Sequence, residues 1–413
     1  MIDPRWFMVA APAAPLAVAT WLYPAVLSLY ARPDQADASS PPDPAEWPTV
    51  SIVLSAYNAE SVIARTLDQL LATDYPRERL QILIVSDGST DATEAIVQRY
   101  ADRGVELLVV PRGGKTLAEN QAAAVVRGEI VVGTDASIIV YPNAVRVLVR
   151  RLIAEPRLGV VSGRALVVPH AVFAEGATAA MSAVAPSGGY YDFLNRLRLH
   201  EQRLGGTVGA TGGLYAQRRD VFNVALPPQV TRDMACTLIA RELGYGSAQE
   251  NGACCLWGQA ASLSSEYRRH VRTIINGLDT LWHFRRLLNP RRGGVYAWQL
   301  WGHKVSRSLI YPACAIAAVG LVSLVASSSI ARVLFAAGVV VLATGLAFGH
   351  SPQPRPKSRY AAAFAPACVG LTAGLAAWWS FARGRHAVTW EPTPRGSSVE
   401  NDAQSPAVIA PTV

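Results

Sequence analysis

Two short apolar runs that each end in an acid constrain this chain more than any other feature. Residues 81–98 read QILIVSDGSTDATEAIVQ, and residues 129–137 read EIVVGTDAS. Stretches 82–85 and 130–132 have strand character and close on Asp87 and Asp135, with helical patterns around and between them. The order β-α-β-α-β predicts an α/β fold with a mostly parallel sheet. Ligands of such open sheets sit beyond the carboxyl ends of the strands, where both aspartates fall. An acidic loop does not attract an anion by itself, but it can hold a divalent cation that bridges to one.

The chain has 413 residues, 51% of them hydrophobic and only 16% charged. The apolar excess is concentrated near the amino terminus and after residue 308, which predicts one water-facing domain between membrane anchors. The net charge of +8 raises nucleic acid as a partner. Many of the basic residues flank apolar spans (Arg285, Arg286, Arg291, Arg292, Lys304, Arg307, Arg355, Lys357, Arg359), and no recognition helix accompanies them. Anionic headgroups of a cytoplasmic leaflet explain that charge, and nucleic acid is not an expected partner. The five cysteines show no metal-ligand spacing.

In chain order, residues 1–31 contain an apolar anchor weakened by Pro12, Pro15 and Pro24, and 32–47 form a proline-rich linker. Strands are expected at 50–54, 82–85, 106–110 and 129–133, and helices at 61–71, 92–100, 115–127 and 142–154. The region 158–258 is less periodic; a strand at 159–162 and a helix at 234–243 are its readable parts. Residues 261–308 mix apolar and basic positions at helical spacing, as membrane-surface helices do. Runs 309–328, 330–348 and 361–381 are each about long enough to span, giving a transmembrane region 309–383 and a polar tail 384–413. The basic loop 350–360 belongs on the cytoplasmic side. The basic start of the tail then conflicts with a third crossing, so either the last run is re-entrant or the tail escapes the charge rule.

The ordered set SIVLSAYNAE, SDGSTD, GGKTLAENQAA, GEIVVGTDAS, GATGGLYAQRRDVF, RDM and EYRRHVR resembles the inverting family 2 glycosyltransferases of GT-A fold. The resemblance covers roughly residues 48–310, with the catalytic domain at 48–260. The branch it is most similar to holds the membrane-embedded bacterial polysaccharide enzymes, relatives of cellulose, chitin and hyaluronan synthases. It implies an enzyme of the inner membrane, multi-pass, with a cytoplasmic domain that moves a hexose or N-acetylhexosamine. The donor is a nucleotide-sugar, a UDP-sugar by this resemblance. The acceptor is a glycan or a lipid-linked glycan, with polysaccharide export or synthase partners alongside.

Residue by residue, Ala56, Tyr57, Asn58 and Glu60 would face the nucleoside, although Asn58 reads equally well as a turn residue. Asp87 matches the family's base-binding aspartate, and Gly88 allows close backbone approach. Gly113-Gly114-Lys115 supplies a loop, a helix start and a cation, all favouring phosphate; a P-loop would need a glycine where Val109 stands. Asp135 would carry Mg2+ or Mn2+ with the diphosphate. Ser137 stands where relatives place a second acid or amide and would be its partner ligand. Thr211, Gly212 and Gly213 match the acceptor segment. Asp233 falls at the family's general base, with Arg232 in place of a preceding acid; its other reading is a helix N-cap. Arg268, Arg269 and Arg272 either clamp the diphosphate or face headgroups. They replace the Gln-x-x-Arg-Trp signature of processive synthases. Two alternatives remain at this point, a polyprenyl-phosphate sugar transferase and a catalytically silent nucleotide-binding partner of a synthase.

Overall fold

The computed structural model describes residues 3–30, 41–169, 172–173, 181, 190–260, 262–351 and 359–389. Most of the linker, most of the basic loop (Arg355 and Lys357 included) and the tail beyond 389 lie outside these residues.

The chain begins with helix α1 (Arg5–Tyr30). It widens to a π turn over Val18–Leu22, with Tyr23 N–H bonded to Val18 C=O, directly before Pro24, which has no N–H to donate. Then come β1 (Val50–Ala56), α2 (Ile63–Leu71), β2 (Leu80–Asp87), α3 (Thr93–Gln98), β3 (Val105–Val110), α4 (Lys115–Ala122) and β4 (Ile130–Asp135). These are the alternating elements the apolar pattern predicts, with strands one to four residues longer. Helix α4 ends at Ala122, five residues before the sequence pattern does.

β1 pairs in parallel with β2 on one side and β4 on the other. Every residue of β1 is buried, as in a strand covered on both faces. Ile52 and Leu54 pack with Ile63, Leu67 and Leu70 of α2. Val53 joins Leu83, Val85, Ala118 and Ala122 on the opposite face.

Beyond β4 the sheet is mixed. The next elements are β5 (Ile138–Val140), α5 (Ala144–Ala154), β6 (Leu158–Val168), α6 (Tyr190–Gln202), β7 (Leu214–Arg218), α7 (Arg232–Glu242) and β8 (Gly246–Gly258). The strand order is β3-β2-β1-β4-β7-β6-β8-β5. β7 runs antiparallel to β4 and β6, while β8 runs parallel to β6. The sequence reading lacked β5, α6, β7 and β8. Strand β8, GSAQENGACCLWG, has no β-branched residue, and it is held in the sheet by pairing on both sides rather than by propensity.

Helix α8 (Leu263–His283) starts at a capping box between Ser262 and Ser265. Helices α9 (Val295–Leu324), α10 (Ser329–His350) and α11 (Arg359–Ala382) follow. The separate surface helix expected before residue 309 is instead the first third of α9, continuous through a π turn at Trp301–Val305. α1, α9, α10 and the Phe364–Ala382 part of α11 are each long and apolar enough to cross a membrane. α10 leaves Ile330 and Val333 more than 60% exposed.

α11 lies alongside α8. Its Ala365 and Val369 pack with Leu263 at the start of α8. Past its end, His386 Nδ1 lies 2.9 Å from Asp279 Oδ1 near the other end of α8. The start of the tail therefore rests against α8.

Candidate functional site

The strand order β2-β1-β4 sets Asp87 and Asp135 on two strands flanking β1, roughly 10 Å apart by strand spacing. Ala56, fully buried, closes β1 between them.

Asp87 is buried and its carboxylate is engaged. It pairs with Arg112 and accepts N–H bonds from Gly113 (2.7 Å) and Gly114 (3.0 Å). Arg112 also lies over the Tyr57 ring, 3.4 Å from its centroid. Asp87 thus shapes the loop ahead of α4. Arg112 had no signal in the sequence beyond its place next to two glycines. Gly88 has φ +65°, and a Cβ there would lie 2.8 Å from the Arg112 backbone nitrogen, so this turn requires glycine.

Asn58, at φ +45°, accepts from Thr90 N–H at 2.8 Å, and Glu60 accepts from Ala92 N–H at 3.0 Å. Both carboxyl-side groups tie the β1 loop to the β2 loop, which favours the turn reading of Asn58.

Lys115 opens α4 and sends its Nζ to Asp135 Oδ1 at 2.5 Å, with Glu119 Oε1 at 3.9 Å. Burial works against the charge on Lys115, but Asp135, Glu119 and Asp233 together outweigh it and hold its pKa above the usual lysine value. Burial pushes the pKa of Glu119 up, against the pull of Lys115 and Arg232. Glu119 escaped the sequence reading, although it sits one helical turn beyond Lys115.

Arg232 is turned into the protein interior. It is buried, with Nε 3.4 Å from Glu119 Oε2 and donated bonds to Asn120 Oδ1 (2.7 Å) and Phe222 C=O (2.9 Å). Asp233, its neighbour on α7, turns the other way. A Cβ on Gly212 would lie 2.6 Å from Asp233 Oδ2, so the glycine leaves room for that carboxylate. Asp233 Oδ1 accepts its own helix's Met234 N–H at 2.8 Å, but α7 starts at Arg232 with Thr231 as its N-cap, so Asp233 lies inside the helix and the N-cap reading does not hold.

Thr211 is buried. Its hydroxyl donates to Gly163 C=O at 2.8 Å and accepts from Arg198 Nη1 at 3.0 Å. Gly213 accepts from Thr134 Oγ1 at 2.8 Å. Both position the segment, and Gly212 between them is the point of access.

Arg268, Arg269 and Arg272 lie on the part of α8 that runs along the apolar helices, where Tyr267 stacks on His350. The site-facing end of α8 is Asp279–Thr280, about two turns further on; Thr231 N–H donates to Thr280 Oγ1 there. Asp87 pairs with Arg112, and Lys115 with Asp135, rather than with any of the three arginines. The C-terminal segment reaches the loop ahead of α4 instead: a Cβ on Gly114 would lie 2.3 Å from Val388 C=O.

Asp135 is placed where it could hold a metal ion. Its side chain is about a third exposed at a strand end, with the Ser137 hydroxyl two residues on. An all-oxygen donor set suits Mg2+ or Mn2+. Among the described residues no group of three or more His, Cys, Asp or Glu converges, so remaining ligands would come from diphosphate and water.

Residues 51–224 match the sequence model of the family described as Glycosyl transferase family 2. The chain is 35% identical over 144 residues to beta-monoglucosyldiacylglycerol synthase of Synechocystis sp., covering 33% of this chain and 28% of that protein. It is 24% identical over 238 residues to poly-beta-1,6-N-acetyl-D-glucosamine synthase of Staphylococcus aureus, covering 56% and 55%. In fold it is similar to a mannosyltransferase from Pyrobaculum calidifontis solved with GDP-Man and Mn2+, at a TM-score of 0.67 and 22% identity. That likeness covers 92% of this chain and all of the other.

Proposed function

We propose, for a chain that is a glycosyltransferase carrying a family 2 domain, that it transfers a sugar with inversion from a nucleotide-sugar to a hydroxyl of a glycan or lipid-linked glycan. The observation that carries this reading is the single lysine that links both halves of the reaction. Lys115 contacts Asp135 at the donor end and feels Asp233, beside Gly212, at the acceptor end. Asp233 removes the acceptor proton as the hydroxyl oxygen attacks the anomeric carbon. The bond from that carbon to the diphosphate breaks in the same displacement, and the configuration inverts. Lys115 faces the charge that develops on the leaving diphosphate.

A divalent ion bound by Asp135 and Ser137 would neutralise part of that diphosphate charge. Asp87, through Arg112 and the Gly113-Gly114 amides, holds the loop that starts α4; it reaches a base if Arg112 gives way. The apolar helices keep the site at a membrane surface. The basic residues Arg285, Arg286, Arg291 and Arg292 next to α9 favour the cytoplasmic face of the inner membrane.

The test is a panel of UDP-, GDP- and TDP-sugars incubated with the full chain, Mn2+ or Mg2+ and membrane extract as acceptor source. One donor is expected to release its nucleotide in an acceptor-dependent way. Release from none of them would overturn the reading.

A further inference from the structure

A cavity of about 690 Å3 lies between α1 and α9. Leu22, Tyr23, Trp298, Gly302, Ser306 and Ala313 are among its walls. Its two hydroxyls are turned to other partners: Tyr23 donates to Glu201 Oε1 at 2.6 Å and Ser306 to Gly302 C=O at 2.5 Å. What remains is an apolar wall, which excludes water and accepts hydrocarbon. The volume falls in the range of built ligand sites.

One turn of α9 joins this cavity to the catalytic domain. Gly302 and Ser306 line the cavity, and the residues between them face the other way. His303 Nδ1 lies 2.7 Å from the buried Glu201. Lys304 Nζ comes within 3.3 Å of where a Cβ on Gly209 would be, in the loop that leads to Gly212. The charges acting on Lys304 include Arg198, Arg307, Glu201 and Asp233. Glu201 is already shared by Tyr23, His303 and Val208 N–H. Lys304 and Arg198, which donates to Thr211 Oγ1 at 3.0 Å in the same loop, therefore lie near the proposed base at the end of an apolar cavity, with Arg307 about one turn along α9 from Lys304. Arginine and lysine so placed match a phosphate.

We propose that this cavity holds the hydrocarbon chain of the acceptor, and that Lys304, Arg198 and Arg307 receive the phosphate linking that chain to a sugar, whose hydroxyl then reaches Asp233. The acceptor is thus a lipid-phosphate-linked sugar. This rests on the transferase reading above and names its acceptor class.

The probe is hexadecyl phosphoglucose carrying a diazirine in its chain, photo-crosslinked to the full chain in nanodiscs. Labelled peptides are expected from both α1 and α9. Unlabelled hexadecyl phosphoglucose is expected to compete at about tenfold lower concentration than hexadecyl glucoside, which lacks the phosphate. Lys304→Ala and Arg307→Ala are each expected to erase that preference. Ala313→Phe, which fills the cavity, is expected to remove the labelling at an unchanged melting temperature. Equal competition by the glucoside would overturn the phosphate site, and labelling that survives Ala313→Phe would mean bulk lipid. Nucleotide release from the donor is followed in the same samples. Its absence with labelling intact would overturn the transferase reading and leave the lipid site standing, and the converse result would do the opposite.

Discussion

Lys115 Nζ stands 2.5 Å from Asp135 Oδ1, so the cation that opens α4 and the acid that closes β4 form one unit. Removing either end should have different effects. Asp135→Asn is expected to lower nucleotide release by about 10²-fold or more, because charge stabilisation at the leaving group is lost. Lys115→Met keeps the length of the side chain and drops its charge. It is expected to weaken donor binding about tenfold, measured by calorimetry with the donor the panel identifies. Wild-type affinity in Lys115→Met would remove the lysine from the donor site.

At the acceptor end, Gly212 has no side chain where Asp233 needs space. Gly212→Ala would push a methyl against Asp233 Oδ2, 2.6 Å away. A displacement of that size is expected to cost about 10²-fold in kcat, with donor affinity unchanged. Asp233→Asn is expected to cost about 10²–10⁴-fold. Turnover within a few-fold of wild type in Asp233→Asn would mean that the attacking group needs no base, as a phosphate acceptor would not.

The strand ends were legible in the sequence because parallel strands buried on both faces announce themselves as apolar runs, and an acid closing one stands out. Asp87 and Asp135 were found that way, whereas Asp233, on helix α7, came from the resemblance alone. What Asp87 does was not legible: its partner Arg112 lies on a loop with no periodicity. Glu119 carried a signal, four residues beyond Lys115 on one helix. Glu201 and Arg198 lie on α6, where Leu194 and Leu197 show helical spacing, but their partners Tyr23, His303 and Thr211 come from other elements. Only tertiary contact brings those together. Arg268, Arg269 and Arg272 lie on the other part of α8 from Thr280, because the resemblance fixes α8 in sequence and not which end of it meets the site.

Glu201 ties α1, α9 and the loop at Val208 to one buried carboxylate. Burial raises its pKa, but His303, Tyr23 and the Val208 N–H together overcome this and leave it below the ordinary 4.5. A depressed carboxylate contributes stability that is present above the unfolded pKa and lost as pH falls through the folded one. Glu201→Gln is therefore expected to destabilise the protein by roughly 1–3 kcal/mol at neutral pH. The gap in melting temperature between the two proteins should shrink as pH falls below about 4.5. A gap that stays constant with pH would show that the charge of Glu201 plays no part.

The last apolar helix meets α8 at both ends, through Ala365 and Val369 against Leu263 and through His386 against Asp279. An α11 arranged this way returns the tail to the side of the catalytic domain. Fusing one reporter to the C-terminus and another within the domain is expected to place both on the same face of the membrane. Opposite faces would mean that α11 crosses and that the tail contacts do not form in the cell. In the His386–Asp279 pair the imidazole is exposed and the carboxylate buried, and one such bond contributes about 1–3 kcal/mol, too little to choose a side. His386→Ala is accordingly expected to leave the topology unchanged. Val369 is fully buried, and Val369→Asp would set an unpaired carboxylate into the α8–α11 contact at a cost of several kcal/mol. That substitution is expected to release the tail, read as new protease cleavage after Ala382.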